Sequence, residues 1–291
     1  MQPGTALGDG APGRLKNDMK IVGFLSAILA AYLLVCLAAF LFQRHLIYFP
    51  VRWSEAEARR WNPGCEEVRI PVSDGVLLHG WLLRREEAPW TVIIFHGNAG
   101  NLSFHEATLA PFRALGLQAI LFDYRGYGLS TGNPTEEGLL KDGEAAVTYA
   151  EKTLGVSRER IVFFGQSLGA AVATILAARR PPGRLILESA WDSLAAVARN
   201  HYSFLPAGLL LRDRYHSAGV IGRVACPILF LHPGEDEIVP VRLGRALYEK
   251  AREPKRFVVL PGAHHNDSFE LRMREHLEAI REFLDLPAAS D

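Results

Sequence analysis

The stretch IVFFGQSLGAAVATILAAR (residues 161–179) decides how this chain is built. Its first five residues are apolar, aromatic or β-branched up to a glycine, the mark of a buried strand. Its last ten, half of them alanine, read as a helix. Between them stands GQSLG, with Ser167 at its centre. A strand that turns straight into a helix through G-x-S-x-G bends sharply enough to lift the serine oxygen above the sheet edge. The glycines two residues before and after leave space for that crowded backbone. The pentapeptide alone arises often by chance; its position between a strand and a helix makes it informative.

Working outward, the same alternation repeats. TVIIFH (91–96), QAILFD (118–123), LILES (185–189), PILFLH (227–232) and RFVVL (256–260) are short strand-like runs. Helical patterns over 103–115, 135–153, 168–180, 240–252 and 270–285 separate them. Strands apolar on both faces and joined by helices predict a mostly parallel sheet covered on both sides. Two further strands, 67–71 and 76–83, are joined through Ser73-Asp74-Gly75 and predict an antiparallel start. The expected architecture is α/β, an eight-stranded, mostly parallel sheet in one domain over residues 66–287. The longest connection without a strand, 191–225, reads equally as a helix pair packed on the sheet or as a short cap over the site.

A serine hydroxyl needs a base to take its proton and a third group to orient that base. Behind an elbow of this kind, acid and base follow the serine in chain order, at strand ends. HPGEDEIVP (232–240) offers Glu235, Asp236 and Glu237, and PGAHHND (261–267) offers His264 and His265. Spacing alone does not choose within either segment. An acyl-transfer intermediate also needs two N–H donors for its oxyanion. Leu168, directly after the serine, supplies one, and Asn98 in HGNAGN (96–101) the other. His96 reads as a structural hydrogen-bonding residue. FDYRGYGLSTG (122–132) reads as scaffold beside the site, with Asp123 and Arg125 pairing with neighbouring loops.

At the other end of the chain, residues 21–42 contain no charge and are bracketed by Lys20 and Arg44. At about 1.5 Å per residue the run is roughly 33 Å long, enough for a hydrocarbon core of about 30 Å. A cleaved signal would carry a shorter apolar region followed by a small-x-small site. A lipoprotein site at Cys36 would want smaller residues than Leu34-Val35 before it. The run therefore predicts one uncleaved transmembrane helix, preceded by a disordered tail (1–20) and followed by a linker containing a short helix (43–65). Basic residues on the two sides nearly tie, so charge sets no orientation.

Composition removes other classes. Lys and Arg total 32 and Asp and Glu total 32, and no basic run exceeds two residues, so no nucleic-acid partner is expected. Cys36, Cys65 and Cys226 form neither a disulfide framework nor a metal-type pair, and no metal or cofactor is expected. The sequons at Asn101 and Asn266 fall in expected active-site loops and read as incidental.

With these pieces in place, the chain resembles the α/β-hydrolase superfamily, and within it the membrane-anchored Bem46-like branch. The resemblance rests on the apolar helix followed by HLIYFP (45–50), then HGNAGN, DYRGYGLSTG, GQSLG, GEDEIVP and GAHHND in order, spanning almost everything after Gln43. It implies Ser167 as nucleophile, Asp236 as acid, His265 as base, and Asn98 and Leu168 as oxyanion donors. It further implies hydrolysis of lipid-like acyl esters or thioesters at a membrane, without a cofactor. Two departures stand out: His232-Pro233-Gly234 where relatives have His-Gly, and His264 where many have a small residue. A peptidase of the same fold and a non-catalytic membrane-bound interaction module are the rival readings.

Overall fold

The computed structural model describes residues 11–61 and 64–288. Helix α1 (Ala11–Ile47) leads into a two-residue strand β1 (Phe49–Pro50) and helix α2 (Glu55–Arg60). The main sheet follows: β2 (Glu66–Pro71), β3 (Leu77–Leu83) and β4 (Thr91–Phe95). A second short strand, β5 (Ala99–Gly100), precedes a 3-10 turn over Leu102–Thr108, helix α3 (Leu109–Ala114) and β6 (Gln118–Phe122). Then come α4 (Glu136–Lys152), β7 (Ile161–Gln166), α5 (Leu168–Arg179) and β8 (Arg184–Glu188). After α6 (Leu194–His201) and α7 (Ala207–Leu210), the chain ends with β9 (Ile228–Pro233), α8 (Val241–Lys250), β10 (Lys255–Leu260), α9 (Ser268–Leu271) and α10 (Met273–Phe283).

Eight strands form one sheet in the order β10-β9-β8-β7-β4-β6-β3-β2, with β2–β3 and β3–β6 antiparallel and every other pairing parallel. The strands alternate between two cores. Ile93, Phe95, Ile161 and Phe163 face the core shared with α4 and α5, whereas Val92, Ile94, Val162 and Phe164 face the core shared with α3 and α10. Burial on both faces is why these runs read as continuously apolar. From β4 the chain first winds to β6 on one side and then returns to β7 on the other. That reversal opens a crevice beyond the carboxyl ends of β4 and β7, where open α/β sheets bind ligands.

Two of the expected helices are split. Pro111 has no N–H to give the carbonyl of Ala107, so the expected 103–115 helix is 3-10 up to Thr108 and α-helical only from Leu109. The expected 270–285 helix is broken at Arg272, which separates α9 from α10.

The N-terminal boundaries need correction. Residues 11–20, assigned above to a tail, are helical, and α1 also continues through 43–47, assigned to the linker. Pro12 falls in the first turn, where its missing N–H costs no helical bond. At the other end Arg44 and His45 suit the negative helix terminus, and Gln43 and Ile47 are buried against the domain. The rest of the expected tail, residues 1–10, lies outside the described residues. Between Asn17 and Ile47 the helix is long and apolar enough to cross a membrane, and its most apolar window is only 6% buried.

Candidate active site

Ser167 is held at φ 53° and ψ −114°, a conformation that L residues rarely adopt. The cost is borne because the surroundings leave the backbone no alternative. A Cβ on Gly165 would lie 2.5 Å from the carbonyl oxygen of Gly169, and one on Gly169 would lie 1.9 Å from that of Phe95. The Ser167 N–H donates to the carbonyl of Glu188 on β8 (2.9 Å), which ties the turn to the neighbouring strand. Leu168 is the first residue of α5, so its N–H has no acceptor within the helix.

The loop after β9 and the loop after β10 are zipped together. Gly234 N–H donates to Leu260 O (2.8 Å) and Glu235 N–H to Ala263 O (2.9 Å). This brings Asp236 under His265, whose Nδ1–H donates to both carboxylate oxygens, at 2.9 Å to Oδ1 and 2.8 Å to Oδ2. Asp236 Oδ1 also accepts the N–H groups of Ile238 (3.1 Å) and Val239 (2.6 Å). Burial pushes the Asp236 carboxyl up, but the adjacent His265 and the Val239 N–H outweigh it and hold the group below its ordinary value. The competitors are elsewhere. Glu235 and Glu237 are exposed, and His264 is exposed and paired with Asp267 (3.1 Å).

Opposite this pair, Asn98 is fixed from three directions. Its Nδ2 donates to Ile47 O at the end of α1 (2.9 Å), and its carbonyl accepts from Phe49 N–H (3.0 Å) and Tyr127 Oη (2.8 Å). The parallel pairing of β1 with β5 continues the same seam. His96 is buried and donates from Nδ1 to Gly97 O (2.7 Å), the structural position expected of it. Arg125 pairs with Asp142 and Asp74, whereas Asp123 is fully buried and its carboxylate oxygens accept no hydrogen bond among the described residues.

Ser167, Leu168, Asn98 and His265 line one cavity of about 470 Å³, whose remaining walls are mainly apolar. Among the described residues no hydrogen bond joins Ser167 to His265; such bonds are often long before substrate binds. One wall comes from α6 and α7, so the 191–211 part of the long connection covers the site. Farther on, Tyr215, Ile221 and Val224 are buried in the sheet core, so the connection is cap and packing in succession. Another wall is the end of α1, through Ala39, Gln43, Leu46 and Ile47. No sequence pattern pointed to this wall, although Gln43, the first polar residue after the apolar run, was a visible signal.

Comparison with known proteins identifies the fold and the family. Residues 91–217 match the family described as the alpha/beta hydrolase fold. The chain is 43% identical over 244 residues to an uncharacterized protein of Mycobacterium tuberculosis, covering 83% of this chain and 87% of that one. It is 31% identical over 271 residues to the protein bem46 of Schizosaccharomyces pombe, covering 87% and 89%. The chain belongs to the Bem46-like branch of the α/β-hydrolase family. Among solved structures, this α/β-hydrolase fold overlays a Pyrococcus furiosus esterase with TM-score 0.65 at 21% identity, over 82% of this chain and 97% of that one.

The two departures from the Bem46-like pattern have local explanations. Pro233 ends β9 in register with Leu260 and leaves the loop contacts of Gly234 and Glu235 intact. The side chain of His264 is turned outward to Asp267. A further residue absent from the motif reading is Glu188, buried beneath the elbow. Its carboxylate accepts from Ser268 Oγ (2.5 Å) and from His276 Nε2 (3.2 Å). Burial pulls His276 down, but the charge of Glu188 dominates and raises it. Glu188 thus links the backbone of Ser167 to the helix that follows His265.

Proposed function

We propose that this protein is a membrane-anchored serine hydrolase that cleaves carboxylic esters or thioesters of acyl chains. The observation that carries the reading is the Asp236–His265 pair opening into the same apolar cavity as Ser167. In this mechanism Asp236 holds Nδ1 protonated, leaving Nε2 of His265 to take the proton of Ser167 Oγ as it attacks the acyl carbonyl. The N–H groups of Leu168 and Asn98 stabilise the oxyanion, a contribution of about 3–4 kcal/mol for each donor. His265 then gives the proton to the departing alcohol or thiol. Water, activated by the same base, attacks the acyl group on Ser167 and releases the acid. The residues that do this belong to the chain, and the reading requires no cofactor.

The anchor belongs to the same proposal. Residues 21–42 span the bilayer as the charge-free part of α1. The helix end is integral to the fold, since Gln43 bonds Leu210 O (3.2 Å) and Arg212 N–H (2.7 Å), which favours a retained anchor over a cleaved leader. The apolar walls favour acyl chains over peptides.

Fluorophosphonate labelling, combined with turnover of p-nitrophenyl esters and acyl thioesters of graded chain length, tests the reading. The native protein is expected to label and to show a chain-length optimum, and Ser167→Ala to lose both. Absence of Ser167-dependent labelling in folded protein would overturn the enzymatic assignment.

A further inference from the structure

The segment YSFLPAGLLL (202–211), between α6 and the loop after α7, contains no charged residue. Its side chains divide by direction. Leu205, Leu210 and Leu211 line the cavity above Ser167, whereas Phe204 and Leu209 point away from it and are 61% and 84% exposed. This exposed apolar face suits a partner that is itself apolar.

The partner is identified by α1. Tyr32, near the middle of the charge-free run, donates from its hydroxyl to the carbonyl of Phe204 (2.9 Å). Gln43 grips the other end of the segment, at Leu210 and Arg212, and the guanidinium of Arg212 lies 4.2 Å over the ring of Phe40. From Gln43 to Tyr32 the helix rises about 16 Å at 1.5 Å per residue, roughly half the thickness of a hydrocarbon core. The segment therefore climbs beside α1 from the level of Arg44 and Arg212 to that of Tyr32. Cys36 is buried on the run between them.

We infer that residues 202–211 form a second membrane element, a wedge that enters the bilayer beside α1 without crossing it. The inference rests on reading α1 as a membrane anchor. Most of the segment's backbone donors meet the requirement that polar groups in lipid be satisfied internally. The N–H groups of Leu205, Ala207, Leu209, Leu210 and Leu211 bond within the segment, Pro206 has none, and Tyr32 satisfies the carbonyl of Phe204. Lipid then lies on one face of the wedge and the cavity of Ser167 on the other. The substrate class follows: an acyl ester or thioester resident in the membrane, whose chain passes laterally between α1 and the wedge instead of arriving from water.

Nitroxide side chains report the depth directly. They are placed at Leu209→Cys and Phe204→Cys in the full chain with Cys36, Cys65 and Cys226 replaced by alanine, reconstituted in phosphatidylcholine vesicles. Leu34→Cys on the exposed side of α1 serves as the lipid control. Lys152→Cys, exposed at the end of α4 near the start of β7, serves as the water control. Position 204, level with Tyr32, is expected to match Leu34, with strong collisions with oxygen and about tenfold weaker collisions with a water-soluble nickel chelate than at Lys152, and position 209, nearer the level of Gln43, to fall between Leu34 and Lys152. If both behave like Lys152 while Leu34 is lipid-like, the wedge is refuted and the anchor stands. Nickel access at Leu34 refutes the anchor and the wedge with it. Shielding from both reagents together with spin coupling between chains assigns the surface to a second copy and refutes the wedge. Should the cysteine-free chain not fold, p-benzoylphenylalanine at position 209 in the native-cysteine chain gives the same readout, with lipid crosslinks expected and their absence refuting the inference.

Discussion

The side-chain amide of Asn98 donates to the carbonyl of Ile47 at 2.9 Å, so the loop facing Ser167 is hydrogen-bonded to the last turn of the apolar helix. The helix proposed as the anchor is thereby part of the wall of the candidate site, and it holds the Asn98 side chain.

Removing this link in Asn98→Ala leaves the main-chain N–H but loosens its aim. Loss of one hydrogen bond is worth about 1 kcal/mol, so kcat is expected to fall about fivefold with KM for short esters little changed. Steady-state kinetics separates the two parameters. An unchanged kcat would show that Asn98 does not position an oxyanion donor.

Asp236→Asn replaces the acceptor of the His265 Nδ1 proton with an amide that keeps an oxygen for the N–H groups of Ile238 and Val239. The loop should hold while the imidazole favours the wrong tautomer. The expected loss in kcat is on the order of 10³–10⁴, with a melting temperature close to that of the native protein. Comparable turnover in the variant would exclude Asp236 as the orienting acid.

Gly169→Ala places a methyl carbon 1.9 Å from the carbonyl oxygen of Phe95, between the elbow helix and β4. Neither backbone is free to withdraw, since β4 is paired on both sides. A destabilisation of about 3–5 kcal/mol is expected, measurable as a shifted denaturant midpoint or as loss of soluble protein.

Asp123 provides a test in pH. Burial pushes its carboxyl up to about 6 despite the neighbouring His79, whose Nδ1 is 3.8 Å away, and His96 Nε2 lies at 3.9 Å. An aspartate in the unfolded chain titrates near 3.9, so between these values the folded state holds the extra proton. Its stabilising contribution is complete below about pH 4 and is lost as pH rises through about 6, a difference of roughly 3 kcal/mol. Asp123→Asn removes this dependence and offers an amide to the unpartnered nitrogens of His79 and His96. The variant is expected to melt higher than the native protein at pH 8 and to lose that advantage at pH 4. An equal difference at both pH values would contradict the raised titration.

Much of the molecule was legible in one dimension because its information is local. Each buried strand had to be apolar on both faces, and each run was therefore visible. The strand-to-helix turn at Ser167 needs glycine at 165 and 169 for reasons contained within a few residues. Choosing Asp236 over Glu235 and Glu237, or His265 over His264, is different in kind. Adjacent loop residues point in different directions, and only the pairing of the β9 loop with the β10 loop selects the one that faces inward. The motif resemblance favoured the same two residues, but it carried no geometry.

The apolar span, the alternating α/β order and the serine elbow were determined by the sequence itself, since periodicity and backbone sterics act over short distances. What the tertiary structure alone decided is how distant parts meet. Gln43 and Ile47 join residues far along the chain in a single wall, Glu188 reaches Ser268 and His276, and Tyr32 meets the carbonyl of Phe204. No local pattern encodes such contacts, because each depends on how the sheet and helices pack and not on the residues beside it in sequence.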